Sequence, residues 1–203
     1  MEEGKLSKKD IKIVIAAHKP YRMPEDTMYV PLHVGAEGKK NPDGTPLDLG
    51  YQKDNEGDNI SAKNPYYCEL TGIYYAWKNI PAEYLGLVHY RRYFKGKNKS
   101  KDPFACIVTE PEMEKIFETH RIVVPKKRKY YIETLYSHYA HTHYAEHLDC
   151  VREIIGEQCP DYLNSYDKVI KQTSGYMFNM MVMERALFDS YCAWLFAILF
   201  ELE

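Results

Sequence analysis

The segment Ile11-Lys-Ile-Val-Ile-Ala-Ala17 constrains the fold more than any other feature, because it is apolar at almost every position. A strand with one face in water would instead carry polar residues at every second position. The run is also rich in β-branched residues, so it predicts a short strand that is buried on both faces. His18-Lys19-Pro20 ends this strand, since proline cannot continue a central strand.

Further strand-like runs alternate with helix-like segments along the chain. The predicted strands are Thr27–Val34, Tyr84–His89, Arg121–Val124 and Tyr176–Met183, and the predicted helices are Asn64–Lys78, Met113–Thr119, residues 132–157 and Glu184–Glu203. Residues 35–60, rich in Gly, Asp and Asn, are expected to form a long loop. This alternation predicts an α/β fold with a mostly parallel sheet covered by helices on both faces.

The domain organisation follows from length and from the lack of internal boundaries. The 203 residues are enough for one α/β domain, and no repeat or low-complexity linker divides them, so we predict a single domain over residues 1–203. The last predicted helix reaches Glu203 without a Gly, Asn or Pro stop signal. We therefore expect that the natural protein continues beyond this point.

Composition and charge favour a cytoplasmic protein that does not bind nucleic acid. The net charge is −2, whereas polyanion-binding proteins are normally basic. Five scattered cysteines predict reduced thiols, the first ten residues lack the apolar segment of a secretion signal, and no run approaches the roughly 18 apolar residues of a membrane span. The 19 tyrosines suit contacts with sugars and nucleobases, because each combines a flat apolar face with a hydroxyl.

Basic residues follow three of the predicted strands. Ligands of open α/β sheets bind beyond the carboxyl ends of the strands, so these positions matter most. The residues concerned are His18 and Lys19, then His89, Tyr90, Arg91, Arg92 and Tyr93, and finally Lys126, Lys127 and Arg128. Arginine forks and lysine charges suit phosphate oxygens, so the sheet edge is predicted to bind a diphosphate. For Lys126–Lys129, solvated loop charges are the preferred interpretation.

A second group of candidate residues surrounds the start of the helix at residue 64. Asn59, Ser61 and Asn64 precede a helix N-terminus, where backbone N–H groups suit an anion or a hydroxyl. Asn64 is expected mainly to cap that helix, with Pro65 at its first position. Glu69 lies one turn into the helix and is a candidate to hold a sugar hydroxyl or to act as a base.

Motifs for other chemistries are missing or weak. The chain has no Walker phosphate loop, no G-x-G-x-x-G and no G-x-S-x-G, which disfavours NTPases, Rossmann dehydrogenases and α/β hydrolases. His138, His141, His143 and His147 lack an H-E-x-x-H pattern, and the acidic loop with Glu56-x-Asp58 does not lie at a strand end. We predict no resident metal, and a divalent cation at the site is the less favoured alternative.

Two specific segments carry a family resemblance. They are Asn59-Ile-Ser-Ala-Lys-Asn-Pro-Tyr-Tyr-Cys-Glu-Leu-Thr71, within a longer match to Asn79, and Leu87-Val-His-Tyr-Arg-Arg-Tyr-Phe94. Further matching stretches are Ile13–Lys19, Pro125–Thr134, Phe178–Met183 and Phe188–Phe196. The chain resembles the domain of unknown function 4422 family, which occurs in capsule, exopolysaccharide and lipopolysaccharide O-antigen loci.

The resemblance implies a hexosyltransferase, with galactofuranosyl transfer among the activities associated with the family. The implied fold is GT-A-like, a Rossmann-type nucleotide-sugar domain. Such enzymes commonly carry Asp-x-Asp at the end of a central strand, where this chain has His89-Tyr90-Arg91. Arg91 and Arg92 would then neutralise the diphosphate in place of a metal. The family usually extends further by an aromatic C-terminal segment.

The resulting hypothesis is transfer from a UDP-sugar to a glycan or lipid-linked oligosaccharide acceptor. His18 and Lys19 lie near the nucleoside, His89, Arg91 and Arg92 act at the diphosphate, and Glu69 is the candidate base. Tyr51, Tyr67 and Asn179 line the sugar or acceptor pockets, and Trp77 is expected in the core. No cofactor is required, because the UDP-sugar is a substrate.

Alternatives from other classes remain open. One is a non-catalytic nucleotide- or carbohydrate-binding module of a polysaccharide assembly system. Another is a nucleic-acid-binding protein that uses the six basic residues between Arg91 and Lys101, although no known binding motif supports it. The loop lysines Lys95, Lys97, Lys99 and Lys101 would also suit peripheral contact with the inner face of the membrane.

Overall fold

The computed structural model describes residues 8–203, which contain short strands and helices in alternation. In chain order the strands are β1 (Ile11–Ala17), β2 (Tyr29–His33), β3 (Gln52–Lys53), β4 (Tyr84–His89), β5 (Ile122–Val123), β6 (Arg128–Lys129), β7 (Ser174–Gly175) and β8 (Met181–Glu184). The helices are α1 (Asn64–Tyr67), α2 (Leu70–Asn79), α3 (Glu110–Ile116), α4 (Leu135–Thr142), α5 (Glu146–Gln158), α6 (Leu163–Ile170) and α7 (Arg185–Leu202).

The described chain comprises two compact units. The sheet unit contains residues 8–124 and 179–189, and the helical unit contains residues 125–178 and 190–203. The helical unit holds α4, α5 and α6 with the two-stranded β6–β7 ribbon. The expectation of one domain over residues 1–203 stays a prediction.

The sheet unit is built on a six-stranded sheet in the order β3-β2-β1-β4-β8-β5. Strand β1 pairs in parallel with β2 and β4, and β2 pairs in parallel with β3, whereas β8 is antiparallel to β4 and β5. The prediction of an α/β fold with a mostly parallel sheet is confirmed. Strand β1 (Ile11–Ala17) is the third of the six strands and is parallel to both of its neighbours, a central position that agrees with its continuous apolar sequence.

Helices cover both faces of this sheet, as predicted. Helix α2 packs closely on one face, where a Cβ at Gly72 would meet side chains of Leu32 and Leu87. On the other face, Met113 and Phe117, in and just after α3, belong to the same buried cluster as Ile13. The core strands are therefore shielded from water on both faces. Polar groups that could contact a ligand lie at the ends of the strands.

The predicted helix from Asn64 to Lys78 is wrong as a single element. It is divided at Cys68, whose φ of 48° lies in the left-handed region, so α1 ends at Tyr67 and α2 begins at Leu70. The capping role of Asn64 is wrong as well. Its side-chain amide donates to the carbonyl of Cys68 at 2.7 Å and to Thr71 Oγ1 at 3.2 Å, so it joins the two helices.

Other predicted boundaries also shift. The strand expected at Tyr176–Met183 begins only at Met181, because Phe178 and Asn179 have φ values of 69° and 51°, which a strand cannot accommodate. The strand around Ile122 is an edge strand with that residue 45% exposed, and not a core strand. Helix α3 begins earlier than expected, where Glu112 accepts a hydrogen bond from Thr109 N.

The remaining element predictions agree more closely. The first strand and the strand at Tyr84–His89 have the predicted bounds, residues 132–157 contain two helices, and the C-terminal helix is present. The long loop over residues 35–60 is interrupted by β3. Of the helices within residues 8–203, none combines the length and apolar character needed to cross a membrane. The predicted lack of a secretion signal concerns residues 1–10, of which 1–7 lie outside the described part.

Candidate functional site

The carboxyl ends of β1 and β4 lie side by side, because these strands pair in parallel. Ala16 is opposite His89 in the register, and Tyr90 N donates to the carbonyl of Ala16 at 3.2 Å. His18 and Lys19 therefore leave β1 beside the segment that leaves β4. The structure brings together two of the three basic strand ends; Lys126, Lys127 and Arg128 belong to the helical unit.

The segment after β4 forms a tight turn that displays its arginines. His89 N donates to the carbonyl of Arg92 at 3.1 Å, and Arg92 N donates to the carbonyl of His89 at 2.9 Å. These two bonds fix the backbone at both ends of the turn. Arg91 and Arg92 are exposed, whereas Tyr90 between His89 and Arg91 points inward and is 7% exposed.

Tyr90 is the centre of a cationic cluster. The His18 ring meets it edge-on with centroids 5.2 Å apart, and Tyr21 does so at the same distance. Lys19 Nζ lies 5.7 Å and Arg91 Cζ lies 5.0 Å from the centroid of the Tyr90 ring. Cations over an aromatic face are attracted by its quadrupole, so this ring holds positive charge at the sheet edge. We call His18, Lys19, Tyr90 and Arg91 the Tyr90 cluster.

The electrostatics of the Tyr90 cluster favour an anionic ligand. Partial burial lowers the pKa of His18 below its ordinary value, and the charges of Lys19 and Arg91 lower it further. His18 is therefore mainly neutral at pH 7 in the absence of a ligand. A bound diphosphate would offset the two neighbouring charges and favour the protonated ring.

An aromatic cavity of about 480 Å³ opens beside the Tyr90 cluster. Its walls include Tyr21, Tyr90, Arg91, Tyr93 and Phe104. Burial raises the pKa of Tyr93 far above its ordinary value, so the phenol stays protonated, and it donates to the carbonyl of Tyr90 at 3.4 Å. A cavity with aromatic walls and an arginine at its edge suits a cyclic ligand that has apolar faces and polar groups around its edge.

Glu69 and Asn179 meet in the folded chain although 110 positions separate them. Asn179 Nδ2 donates to Glu69 Oε1 at 2.9 Å. Because β8 is antiparallel to β4, the residues just before Met181 lie at the sheet edge where β4 ends. The sequence proposed both residues separately, and the structure joins them at that edge.

The predicted group of Asn59, Ser61 and Asn64 serves the protein itself. Ser61 is buried and donates to Asp54, Asn59 bridges Gly57 and Ser61, and Asn64 spans the break between α1 and α2. These contacts use the polar groups that were expected to face a ligand. Their assignment to substrate stays a prediction that the internal hydrogen bonds do not favour.

Asp54 is a buried carboxylate that sequence reasoning missed. Its oxygens accept hydrogen bonds from Gly35 N, Ala36 N, Ser61 Oγ and Thr71 Oγ1 at 2.5–3.0 Å. This network joins the loop after β2 to the turn before α1, through Ser61, and to α2, through Thr71. No local pattern marks Asp54, because its donors come from three distant parts of the chain.

The aromatic residues that the sequence proposed for the sugar or acceptor pockets mainly contact other parts of the protein. Tyr51 OH accepts from Tyr21 N and donates to Tyr21 O, both at 3.0 Å, so it holds the loop that carries one wall of the cavity. Tyr67 is buried, with Lys63 Nζ 5.9 Å from its ring centroid. Trp77 is half-buried under Lys78, which lies 3.5 Å from the ring centroid. Tyr93 lies in the cavity wall.

The clustered histidines and the acidic loop, which were weighed as metal ligands, contact other side chains of the protein. Nδ1 atoms of His138 and His141 contact the two oxygens of Glu133 at 2.9 and 2.6 Å. Asp58 is joined to α2 through Asn79 and Tyr74. Across residues 8–203 no group of three or more His, Cys, Asp or Glu side chains has a geometry that could hold a metal ion.

The sheet and its flanking helices define the class of protein to which this fold belongs. The chain is similar to the solved apo structure of the bifunctional glycosyltransferase WbbM, with a TM-score of 0.83 and 30% sequence identity. The match covers 95% of this chain and 37% of that chain. The fold is therefore a glycosyltransferase fold.

The family follows from the sequence itself. The family model described as "Domain of unknown function (DUF4422)" matches residues 12–203, and the chain belongs to this family. No curated protein matches the chain.

Proposed function

We propose that this chain is a glycosyltransferase domain that moves a hexose from a UDP-sugar to a glycan acceptor. The observation that carries the proposal is the Tyr90 cluster at the edge of a sheet whose fold is shared with a glycosyltransferase. Galactofuranose is the proposed sugar, and capsule, exopolysaccharide or lipopolysaccharide is the proposed product. A GT-A-type nucleotide-sugar site agrees with this arrangement.

The proposed mechanism uses positive charge instead of a metal. Arg91 and Arg92 bind the diphosphate, and Lys19 adds a point charge beside it. When the bond between the anomeric carbon and the diphosphate oxygen breaks, its electron pair goes to the leaving UDP. Fixed cations at that position stabilise the developing charge, which is the expected main source of rate.

Glu69 is the proposed base for an inverting transfer. The acceptor hydroxyl oxygen attacks the anomeric carbon, and its proton passes to the Glu69 carboxylate. Asn179 supports this role because its amide donates to Glu69 Oε1, which orients the carboxyl group. Both side chains lie at the sheet edge that carries the Tyr90 cluster.

The proposed acceptor is a glycan, free or lipid-linked, that enters the aromatic cavity. Tyr21 and Phe104 offer flat surfaces to the apolar faces of a sugar, and the Tyr93 hydroxyl oxygen, whose proton is directed to the carbonyl of Tyr90, can accept a hydrogen bond. The proposed location is the cytoplasm, including the inner face of the membrane where lipid-linked acceptors occur. No cofactor takes part in this scheme.

The test is substitution of the two arginines that follow β4. Arg91→Ala and Arg92→Ala should each cost about 2–4 kcal/mol of transition-state stabilisation, a loss of roughly 30- to 1000-fold in kcat/KM. The measurement is UDP release from the donor in the presence of acceptor, with UDP affinity followed by calorimetry. Lys115→Ala removes an exposed cation from α3 and is the matched control, expected to be unchanged.

Two outcomes would contradict the proposal. Near-normal transfer by both arginine variants would show that the cations after β4 are not needed for catalysis. Tight binding of UDP without turnover of any UDP-hexose would instead support the non-catalytic binding module.

A further inference from the structure

The helical unit carries an exposed apolar turn directly after β6. Tyr131 and Ile132 form its tip, and their side chains are 83% and 94% exposed. Such exposure of two adjacent large apolar residues is unfavourable in water, because neither gains the free energy of burial. The turn thus presents surface that another apolar environment could cover.

The turn is held in place by its surroundings. Tyr130 N donates to the carbonyl of Thr173 at 2.7 Å, Ile132 N donates to the carbonyl of Tyr130 at 2.8 Å, and Leu135 N donates to the carbonyl of Gln172 at 2.8 Å. Tyr131 has a φ of 62°, a conformation that is costly for a bulky residue. The fold maintains this strained backbone and points both side chains outward.

Four exposed cations precede the apolar tip. They are Lys126, Lys127, Arg128 and Lys129, and β6 holds the last two beside β7. The next acidic side chain along the sequence, Glu133, is engaged by His138 and His141. We call residues 126–132 the basic turn.

We propose that the basic turn docks on the surface of an anionic lipid bilayer. Tyr131 and Ile132 enter the boundary between headgroups and acyl chains, and the four cations meet lipid phosphates. Membrane-surface segments combine these features, because buried apolar area and attraction to anionic lipid act together. The lysine stems also lie along the apolar boundary while their charges stay in the headgroup layer.

This placement differs from the lysine-rich loop that the sequence suggested for membrane contact. Lys95, Lys97, Lys99 and Lys101 are separated by Gly, Asn and Ser, so that loop has charge without an apolar tip. Charge alone gives weak and salt-sensitive attraction to a membrane. The basic turn has both components within seven residues.

The test is co-sedimentation with vesicles made of equal parts of phosphatidylglycerol and phosphatidylcholine. The wild-type protein should bind these vesicles and bind pure phosphatidylcholine at least about tenfold more weakly. The double variant Tyr131→Ser/Ile132→Ser should lower the partition coefficient by about tenfold or more. The double variant Lys126→Gln/Lys129→Gln should lower the partition coefficient by about 25-fold, because each lost charge should lower it by about fivefold.

Matched controls separate the turn from general surface properties. Tyr144→Ser removes another exposed aromatic residue of the helical unit, and Lys97→Gln/Lys99→Gln removes two exposed lysines of the sheet unit. Both should bind as the wild type does. Ile132→Trp keeps an apolar tip and should bind at least equally, and vesicles should shift its emission to the blue by more than that of the wild type, which contains Trp77 and Trp194.

Four results would overturn the docking proposal. They are no binding to the anionic vesicles, equal binding to both lipids, equal losses in the turn and control variants, or an Ile132→Trp emission that vesicles leave unchanged. Binding of a short RNA in place of vesicles, lost in the lysine variant, would assign the basic turn to nucleic acid instead. UDP affinity is measured in parallel, so failure at the membrane is distinguished from failure of the transferase proposal.

Discussion

Tyr90 shows how one buried side chain can organise charge at a strand end. Its ring lies within 6 Å of Lys19 and Arg91, and His18 packs on it edge-on. Each cation over the ring gains about 0.5–1 kcal/mol, which helps to hold like charges together without a bound anion. A bound anion would relieve the remaining repulsion between these cations, which is why we propose a diphosphate as the ligand of the cluster.

Asp54 leads to a prediction at the residue scale. Asp54→Ala removes an acceptor that four donors share, and leaves backbone N–H groups of Gly35 and Ala36 buried without that partner. We expect the free energy of unfolding to fall by about 3 kcal/mol, because unsatisfied buried donors carry a desolvation cost. Urea denaturation followed by circular dichroism measures this loss.

The control for this prediction is Asp48→Ala. Asp48 is exposed and, within residues 8–203, accepts one hydrogen bond, from Gly50 N, so its loss should cost under about 0.5 kcal/mol. Equal unfolding free energies for the Asp54 and Asp48 variants would show that the buried network does not stabilise the fold.

At the scale of elements, β4 depends on its close contact with β8. Gly86 is opposite Val182 in the antiparallel register, and a Cβ added there would overlap the carbonyl oxygen of Met181 and lie 2.9 Å from Val182 Cα. These are backbone atoms, so the strain cannot be relieved by a side-chain rotation. The approach keeps β8 in register with the strand that carries the Tyr90 cluster.

We therefore predict that Gly86→Ala lowers the free energy of unfolding by about 2–3 kcal/mol through overpacking. Gly156→Ala in α5 is the matched control, because its Cβ would meet only Leu163 Cδ2 at 3.9 Å. That substitution should stabilise the helix by about 0.5–1 kcal/mol. Thermal and urea unfolding measure both, and a neutral Gly86 variant would contradict the proposed strand contact.

Sequence reasoning at the element scale succeeded where a local pattern was sufficient. The apolar runs at Ile11–Ala17 and Tyr84–His89 gave correct strand bounds, because continuous burial is visible in the residues themselves. It failed at Cys68 and Asn179, where the backbone is left-handed without a glycine. Side-chain hydrogen bonds accompany both conformations, from Asn64 and Thr71 to the carbonyl of Cys68 and from Asn179 to the distant Glu69, and hydropathy carries no information about them.

At the scale of the whole molecule, stability should depend on pH near neutrality. His33 is 1% exposed, and its Nδ1 has no hydrogen-bond partner within residues 8–203. Burial lowers its pKa below the ordinary value, and Asp54 opposes this only in part. Partial burial and neighbouring cations lower the pKa of His18 in the same direction.

The sign of the effect follows from proton binding. As the pH falls through the ordinary histidine pKa of about 6.5, the unfolded chain binds protons that the folded chain resists. The free energy of unfolding should therefore decrease from about pH 7.5 to about pH 5.5, before most carboxylates titrate. Urea denaturation across this range measures the slope.

His33→Gln should reduce that slope more than His18→Gln, since the His33 side chain is the more deeply buried of the two. The His18 variant serves as the matched comparison. A slope that neither substitution changes would place the titrating groups elsewhere in the molecule.

By itself, the sequence determined the class of fold, the buried strands and the basic character of the residues after β1 and β4. These features depend on short-range patterns of hydropathy and charge. Only the tertiary structure placed β8 between β4 and β5, joined Asn179 to Glu69 and gathered four donors on Asp54. Such contacts depend on strand pairing and packing between distant residues, whose free energies no local run of sequence contains.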